Sequence, residues 1–203
     1  MLRPLAAALA IALLSAPLAV AAPSTNPADM PAGTYVLDKQ HASVLARVRH
    51  QGFSNFTIRF GAVDATYAWD PKSPQTAEVR ATIQAASFDT GDAKEDPKLA
   101  RQFLDVEKHP TITFVSTSIQ HGEGNKGTIL GDLTLRGVTK PVTLDVTYNG
   151  YAGGVTGQRA GFSAMTKIKR SDFGSTYLLG PPLALVGDEV ELILELEFTR
   201  KAP

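Results

Sequence analysis

From residue 34 onward, apolar and polar side chains alternate with a period of two along most of the chain, and this limits the fold more than any other feature of the sequence. Val44, Ala46 and Val48 interleave with Leu45, Arg47 and Arg49. Val79, Ala81, Ile83 and Ala85 interleave with Arg80, Thr82 and Gln84. Ile129, Gly131, Leu133 and Leu135 do so with Leu130, Asp132 and Thr134, and Val142, Leu144, Val146 and Tyr148 with Thr143, Asp145 and Thr147. In the last segment Val190, Leu192, Leu194, Leu196 and Phe198 oppose Glu189, Glu191, Glu195 and Glu197, and only Ile193 departs. A strand points successive side chains to opposite faces, so each segment has one dry and one wet face. That is the antiparallel pattern, because strands of a parallel sheet are covered on both faces and read as continuous apolar runs. With Thr34–Asp38, Phe56–Trp69, Thr111–Ile119 and Gly161–Ile168 added, the pattern predicts eight or nine strands. Turn residues separate them at 71–74, 122–127, 137–141 and 150–157. Many short strands with regular turns indicate a sandwich or a barrel, and a closed barrel removes both adhesive edges.

One segment breaks the alternation. Asp96-Pro97 is a helix-start pair, Leu99, Phe103 and Val106 follow at helical spacing, and His109-Pro110 stops the run. A single short helix is expected over residues 97–107, placed to cover one end of a barrel. At the amino terminus, Arg3, the apolar run Leu5–Leu14 and the small residues Ala19 and Ala21 make the three parts of an export signal, with cleavage expected after Ala21. Ser15 and Pro17 interrupt the run before it reaches the roughly 20 residues a membrane-spanning helix needs. Residues 22–31 hold three prolines and no periodicity, and are expected to be a flexible leader. Residues 32–203 then form a single domain.

Composition removes several classes of function. Twenty basic and twenty acidic side chains balance, which argues against a nucleic-acid binder working by bulk charge. Cysteine is absent, so there are no disulfides, thiolate metal sites or cysteine nucleophiles, and no lipoprotein anchor. An exported chain of this kind must rely on an ordinary apolar core, and its length is sufficient for one.

Catalytic patterns are scarce. The histidines His41, His50, His109 and His121 show no ligand spacing, and no metal is expected. Gly52-Phe53-Ser54 and Gly161-Phe162-Ser163 lack the second glycine of a nucleophile elbow. The acids Asp89, Asp92, Glu95 and Asp96 stand just before the helix and read as capping groups. His41, Arg170 and Asp172 are the polar groups an enzyme acting on a lipid could use, but no nucleophile accompanies them. Arg170 and Asp172, two residues apart, are expected to pair near one end of the barrel. The loop Thr176–Val186 is uncharged, rich in Gly and Pro, and carries Tyr177, Leu178, Leu179, Leu183 and Leu185. Loops normally face water, so these five are expected to gate or touch a membrane at the mouth of an apolar opening.

Five ordered motifs carry a family resemblance. His41-x-x-Val44-x-x-x-Val48-x-His50-x-Gly52-x-Ser54 resembles the opening signature of the YceI-like family. Ser87–Gly91, Asp96, Leu99 and Phe103–Phe114 are similar to its central signature. Gly131–Val142 is similar to the third, and Lys169–Gly174 and Val186–Val190 to the last. The sequence departs from the family pattern at Ala42, Ala46 and Ile58, and Ala46 stands where an aromatic is common. The resemblance implies an all-β, extended, antiparallel, eight-stranded lipocalin-like barrel with one short inserted helix. It implies a periplasmic protein that is not an enzyme, has no cofactor, and binds a polyisoprenoid, an isoprenoid quinone or a similar long-chain lipid in an internal apolar pocket. Transient contact with a membrane surface would accompany that role, and a dimer is compatible with it. Shared strand parity assigns the pocket wall to Val44, Ala46, Val48, Ile83, Phe114, Leu133, Leu135, Leu144, Phe162, Ala164, Leu192 and Leu194, with Leu99 and Phe103 from the helix.

Overall fold

The computed structural model describes residues 22–154, 157–181 and 184–201; the expected export signal at 1–21 and Leu183 lie outside the described residues. The sheet closes on β1 (Gly33–His50). On one side β1 pairs with β10 (Val186–Arg200), from Tyr35 opposite Arg200 to His50 opposite Val186. On its other side it pairs with β2 (Ser54–Phe60) and β3 (Val63–Trp69) in turn. From β3 the order runs through β4 (Glu78–Gln84), β6 (Thr111–His121), β7 (Lys126–Leu135), β8 (Val138–Gly154) and β9 (Gly157–Lys169) back to β10. The two-residue β5 (Phe88–Asp89) pairs with β2 beyond the end of β4. Since β2 and β3 share one side of β1, and β5 prolongs β4, the barrel is closed and has eight antiparallel staves.

The staves are longer and more bent than the alternation suggests. Thr34–Asp38 and Val44–Val48 are two parts of β1, joined by a bulge in which residues 38–41 of β1 face a single residue of β10. The expected strand Phe56–Trp69 breaks at Gly61-Ala62, where the Gly61 N–H turns to the Ser87 carbonyl at 3.3 Å. Bulges and breaks of this kind bend a strand around a barrel. The glycines expected to form a turn over 150–157 instead extend β8 and β9, with Gly150 opposite Gly161 and Gly153 opposite Gln158.

Helix α1 (Asp96–Leu104) lies where expected but ends sooner. Pro97 sits in its first turn, and the following Lys-Leu-Ala-Arg-Gln favours helix. It stops because Asp105 takes a left-handed conformation (φ 52°) and returns its N–H to the Arg101 carbonyl at 2.9 Å, which leaves Val106 beyond the helix. The expectation that Asp96 caps the helix is corrected. Its buried carboxylate accepts instead from the Thr90 N–H at 3.0 Å and the Thr90 hydroxyl at 2.5 Å, pinning the loop ahead of the helix. Asp89 and Asp92 accept from backbone N–H groups of the same loop, and Glu95, at the N-cap position, makes no side-chain cap bond. Asp96, Ala100 and Leu104, each about one turn from the next, are the buried positions of the helix.

Residues 22–31, expected to be a flexible leader, make defined contacts with the barrel. Ser24 forms an antiparallel bridge with Tyr151, two N–H to carbonyl bonds of 2.8 Å. Residues 27–29 make a 3-10 turn capped by Asn26, and Met30 is only 1% exposed. Apolar contact and paired backbone groups hold this segment down despite its prolines.

Candidate ligand-binding site

The inward faces of the staves enclose a cavity of about 440 Å³. All fourteen residues assigned to the wall, twelve by strand parity and two from the helix, border it: Val44, Ala46, Val48, Ile83, Leu99, Phe103, Phe114, Leu133, Leu135, Leu144, Phe162, Ala164, Leu192 and Leu194. Residue size shapes the space. Phe114 lies across Gly131, where an added Cβ would stand 2.4 Å from the ring, so only glycine fits beneath it. Ala46, opposite Ile58 on one side and Leu192 on the other, leaves a recess in the wall. Tyr67, Tyr148 and Phe198 ring Phe162 at centroid distances of 5.4, 5.3 and 5.9 Å. Such tilted and edge-on contacts fix the aromatic girdle in place.

Strand parity alone missed Ile58, Phe60, Val63, Tyr67 and Trp69, which also border the cavity. The signal was present in β2 and β3. Phe56, Ile58 and Phe60 are inward at even positions, and Val63, Ala65, Tyr67 and Trp69 at odd ones. The change of parity marks the break at Gly61-Ala62.

At the helix end, Phe103 stacks on Phe88 and meets Tyr177 edge-on at 5.2 Å. Arg170, 4% exposed, sits below in a 3-10 turn (Arg170–Phe173). Its guanidinium donates to the carbonyls of Gly187 (2.7 Å), Ser175 (2.8 Å) and Val186 (2.8 Å), and lies 5.4 Å from the Phe103 ring centre. The expected pairing with Asp172 is therefore corrected. In a 3-10 turn the two residues do not share a face, and Asp172 is exposed. The carboxylate beside Arg170 is Asp188, which accepts from the Ser171 N–H and hydroxyl at 2.9 and 2.8 Å. Burial pushes the Asp188 pKa up, but these two bonds and the nearby guanidinium outweigh it and hold the group below the usual carboxylate range.

The three carbonyls bound by Arg170 flank the loop 176–185. Within it Leu178 borders the cavity at φ 57°, while Tyr177, Leu179 and Leu185 are half-buried beside it. Both Leu185 and Val186 return their N–H groups to the Leu178 carbonyl. Of the five residues expected at a gate, Leu178 alone among the described residues lines the space.

The opposite end is polar. Gln120, His121 and Lys126, on the β6–β7 hairpin, are exposed and border the cavity there, together with Pro27 and Met30 of the amino-terminal segment. His121 closes β6 and stands 5.8 Å from the Trp69 ring. Tyr148 is 6% exposed, and its hydroxyl has no hydrogen-bond partner among the described residues. Burial pushes the Tyr67 and Tyr148 hydroxyls well above the ordinary tyrosine range, so both stay neutral.

His41 lies on the outside of the barrel, within the β1 bulge. Asp38 accepts from the His41 ring N–H at 2.9 Å and from Arg159 at 2.7 Å, and Arg159 also reaches Glu197 at 2.6 Å. The three potential metal ligands Asp38, His41 and Glu197 are thus already bridged by a guanidinium. The His41 bond is the main cause that lowers Asp38; burial opposes it, and the Gln40 N–H and Arg159 reinforce it, leaving a pKa of about 2. A carboxylate lowered in the fold stabilises it above its unfolded pKa of about 4, and that contribution disappears as pH falls toward 2. In Asp38→Asn, the fall in Tm between pH about 4 and about 2 should therefore be shallower than in the wild type. Superimposable Tm profiles would show that the network contributes nothing to stability. His41, Arg170 and Asp172 share no hydrogen bond or ion pair among the described residues.

A closed barrel around a ligand-sized apolar cavity defines a lipocalin-like class of protein. Within it, the chain belongs to the YceI-like family, whose domain matches residues 35–198. Protein YceI of Salmonella arizonae is 44% identical over 170 residues, covering 82% of this chain and 86% of that protein. The crystal structure of BcnA from Burkholderia cenocepacia is similar at a TM-score of 0.70 and 30% identity, over 79% of this chain and 98% of that one. A polyisoprenoid binding domain from Saccharophagus degradans, implicated in plant cell wall breakdown, shares the fold at a TM-score of 0.61 and 15% identity, over 82% of this chain and 98% of that one.

Proposed function

We propose that this protein binds a polyisoprenoid, an isoprenoid quinone or a similar long-chain lipid in its central cavity, and carries or sequesters it in the periplasm after export. The observation that carries this reading is the cavity itself: about 440 Å³ in a closed barrel, with apolar side chains throughout its middle and polar ones only at its ends. That volume lies within the range of pockets that enclose small ligands. Each methylene moved from water into such a wall contributes about 0.8 kcal/mol, so a few isoprene units drive binding without a specific hydrogen bond. Selectivity then comes from the length and width of the space. Binding of polyisoprenoids by a domain of the same fold is consistent with this assignment. The apolar loop 176–185 is assigned to the helix end as the cover of the cavity, in contact with the membrane when the ligand exchanges. No catalytic step is assigned.

The test is extraction. Protein purified from its periplasm without detergent should carry a lipid that native mass spectrometry detects as a discrete added mass and organic solvent releases. Protein that is folded, free of lipid and unable to take up geranylgeraniol would overturn the assignment.

A further inference from the structure

We propose that Met30 sets the length of the lipid chain the cavity accepts, because the segment Ser24–Met30 lies as a strap across the polar end of the barrel. The inference rests on the lipid-binding reading above. Pro27 and Met30 border the cavity although they belong to no stave. The strap precedes residue 35, where the family match begins.

The strap is built in at three points. Ser24 bridges to Tyr151, the Trp69 indole N–H donates to the Met30 carbonyl at 3.0 Å, and the Tyr35 hydroxyl donates to the Pro31 carbonyl at 2.8 Å. The barrel wall makes room for it. Gly150 has φ 130°, and a Cβ there would lie 2.8 Å from the Pro23 Cβ and 2.9 Å from the Ser24 carbonyl oxygen. Held in this way, Met30 is 1% exposed and borders the apolar space at this end. Methionine is unbranched and adapts to irregular gaps, which suits it to this position.

Truncating Met30 to Ala extends the cavity by the volume of the thioether arm. An apolar void of that kind stays dry and accepts an apolar ligand, here the next part of an isoprenoid chain. The test offers the protein an equimolar mixture of farnesol, geranylgeraniol and solanesol and reads the bound ratio by native mass spectrometry. Met30→Ala should raise the ratio of solanesol to geranylgeraniol about tenfold over the wild type, the worth of nearly two buried methylenes. Ser24→Pro removes the N–H that holds the strap to Tyr151 and should shift the ratio in the same direction by a smaller factor. Circular dichroism establishes that each variant is folded, and if Met30→Ala is not, Ser24→Pro decides. An unchanged ratio in the folded variants overturns the role of Met30 and leaves lipid binding intact. A wild-type protein that takes up none of the three alcohols overturns the lipid reading itself, and the inference with it.

Discussion

Replacing Ala46 by Trp should lower the affinity for geranylgeraniol by about 100- to 1,000-fold while leaving the barrel folded. Ala46 is buried on the cavity wall between Ile58 and Leu192. An indole there projects into open space, so the overpacking that accompanies such a change in a filled core is avoided. The ring displaces about one isoprene unit, whose five carbons contribute about 4 kcal/mol at about 0.8 kcal/mol each. Shifts of the remaining chain return part of this, and about 3–4 kcal/mol corresponds to the stated loss. Titration followed by native mass spectrometry, with Tm measured in parallel, checks both halves of the expectation. Undiminished affinity would place the ligand away from the middle of the cavity.

Arg170→Ala should be the most destabilising single replacement at the helix end, at about 3–5 kcal/mol by denaturant unfolding. The guanidinium satisfies three backbone carbonyls and packs against Phe103. Its removal leaves buried acceptors without donors, and the Asp188 carboxylate loses the cation beside it. Arg170→Lys retains the charge but presents a point donor where a planar fork is required, so it should recover less than half of the loss. A variant with wild-type stability that has lost ligand binding would instead make Arg170 a headgroup contact.

Much of this architecture can be read from residue parity, and the places where it cannot have a common cause. In β8 and β10 the inward set keeps one parity throughout, as do Ile129, Leu133 and Leu135 of β7, and every residue assigned in these strands borders the cavity. In β1 the inward residues change from Tyr35 and Leu37 to Val44, Ala46 and Val48 across the bulge. In β6 they change from Ile112 and Phe114 to Ile119 across the irregularity between Ser116 and Ser118. A bulge adds a residue and inverts the alternation, so a local pattern cannot be extended through it. The strap was missed for a different reason. Its place depends on Gly150, Tyr151 and Trp69, all distant in sequence, and nothing within Ser24–Met30 itself encodes that docking. The partners of Arg170 were missed because its acceptors are main-chain carbonyls, which every residue possesses and no composition reveals.

Closure of the barrel by β1 and β10 also determines when the chain can fold. Tyr35 is paired with Arg200, so the first stave has to wait for almost the entire polypeptide before its second edge is satisfied. Pairings this distant in sequence carry a high entropic cost before they return any stabilisation, which makes folding slow, on the scale of milliseconds to seconds. Until Val186–Arg200 arrives, a nascent chain presents two open strand edges and an unlined apolar interior. The same geometry that closes the barrel on itself therefore makes the interval before closure the time when the chain most needs protection from aggregation.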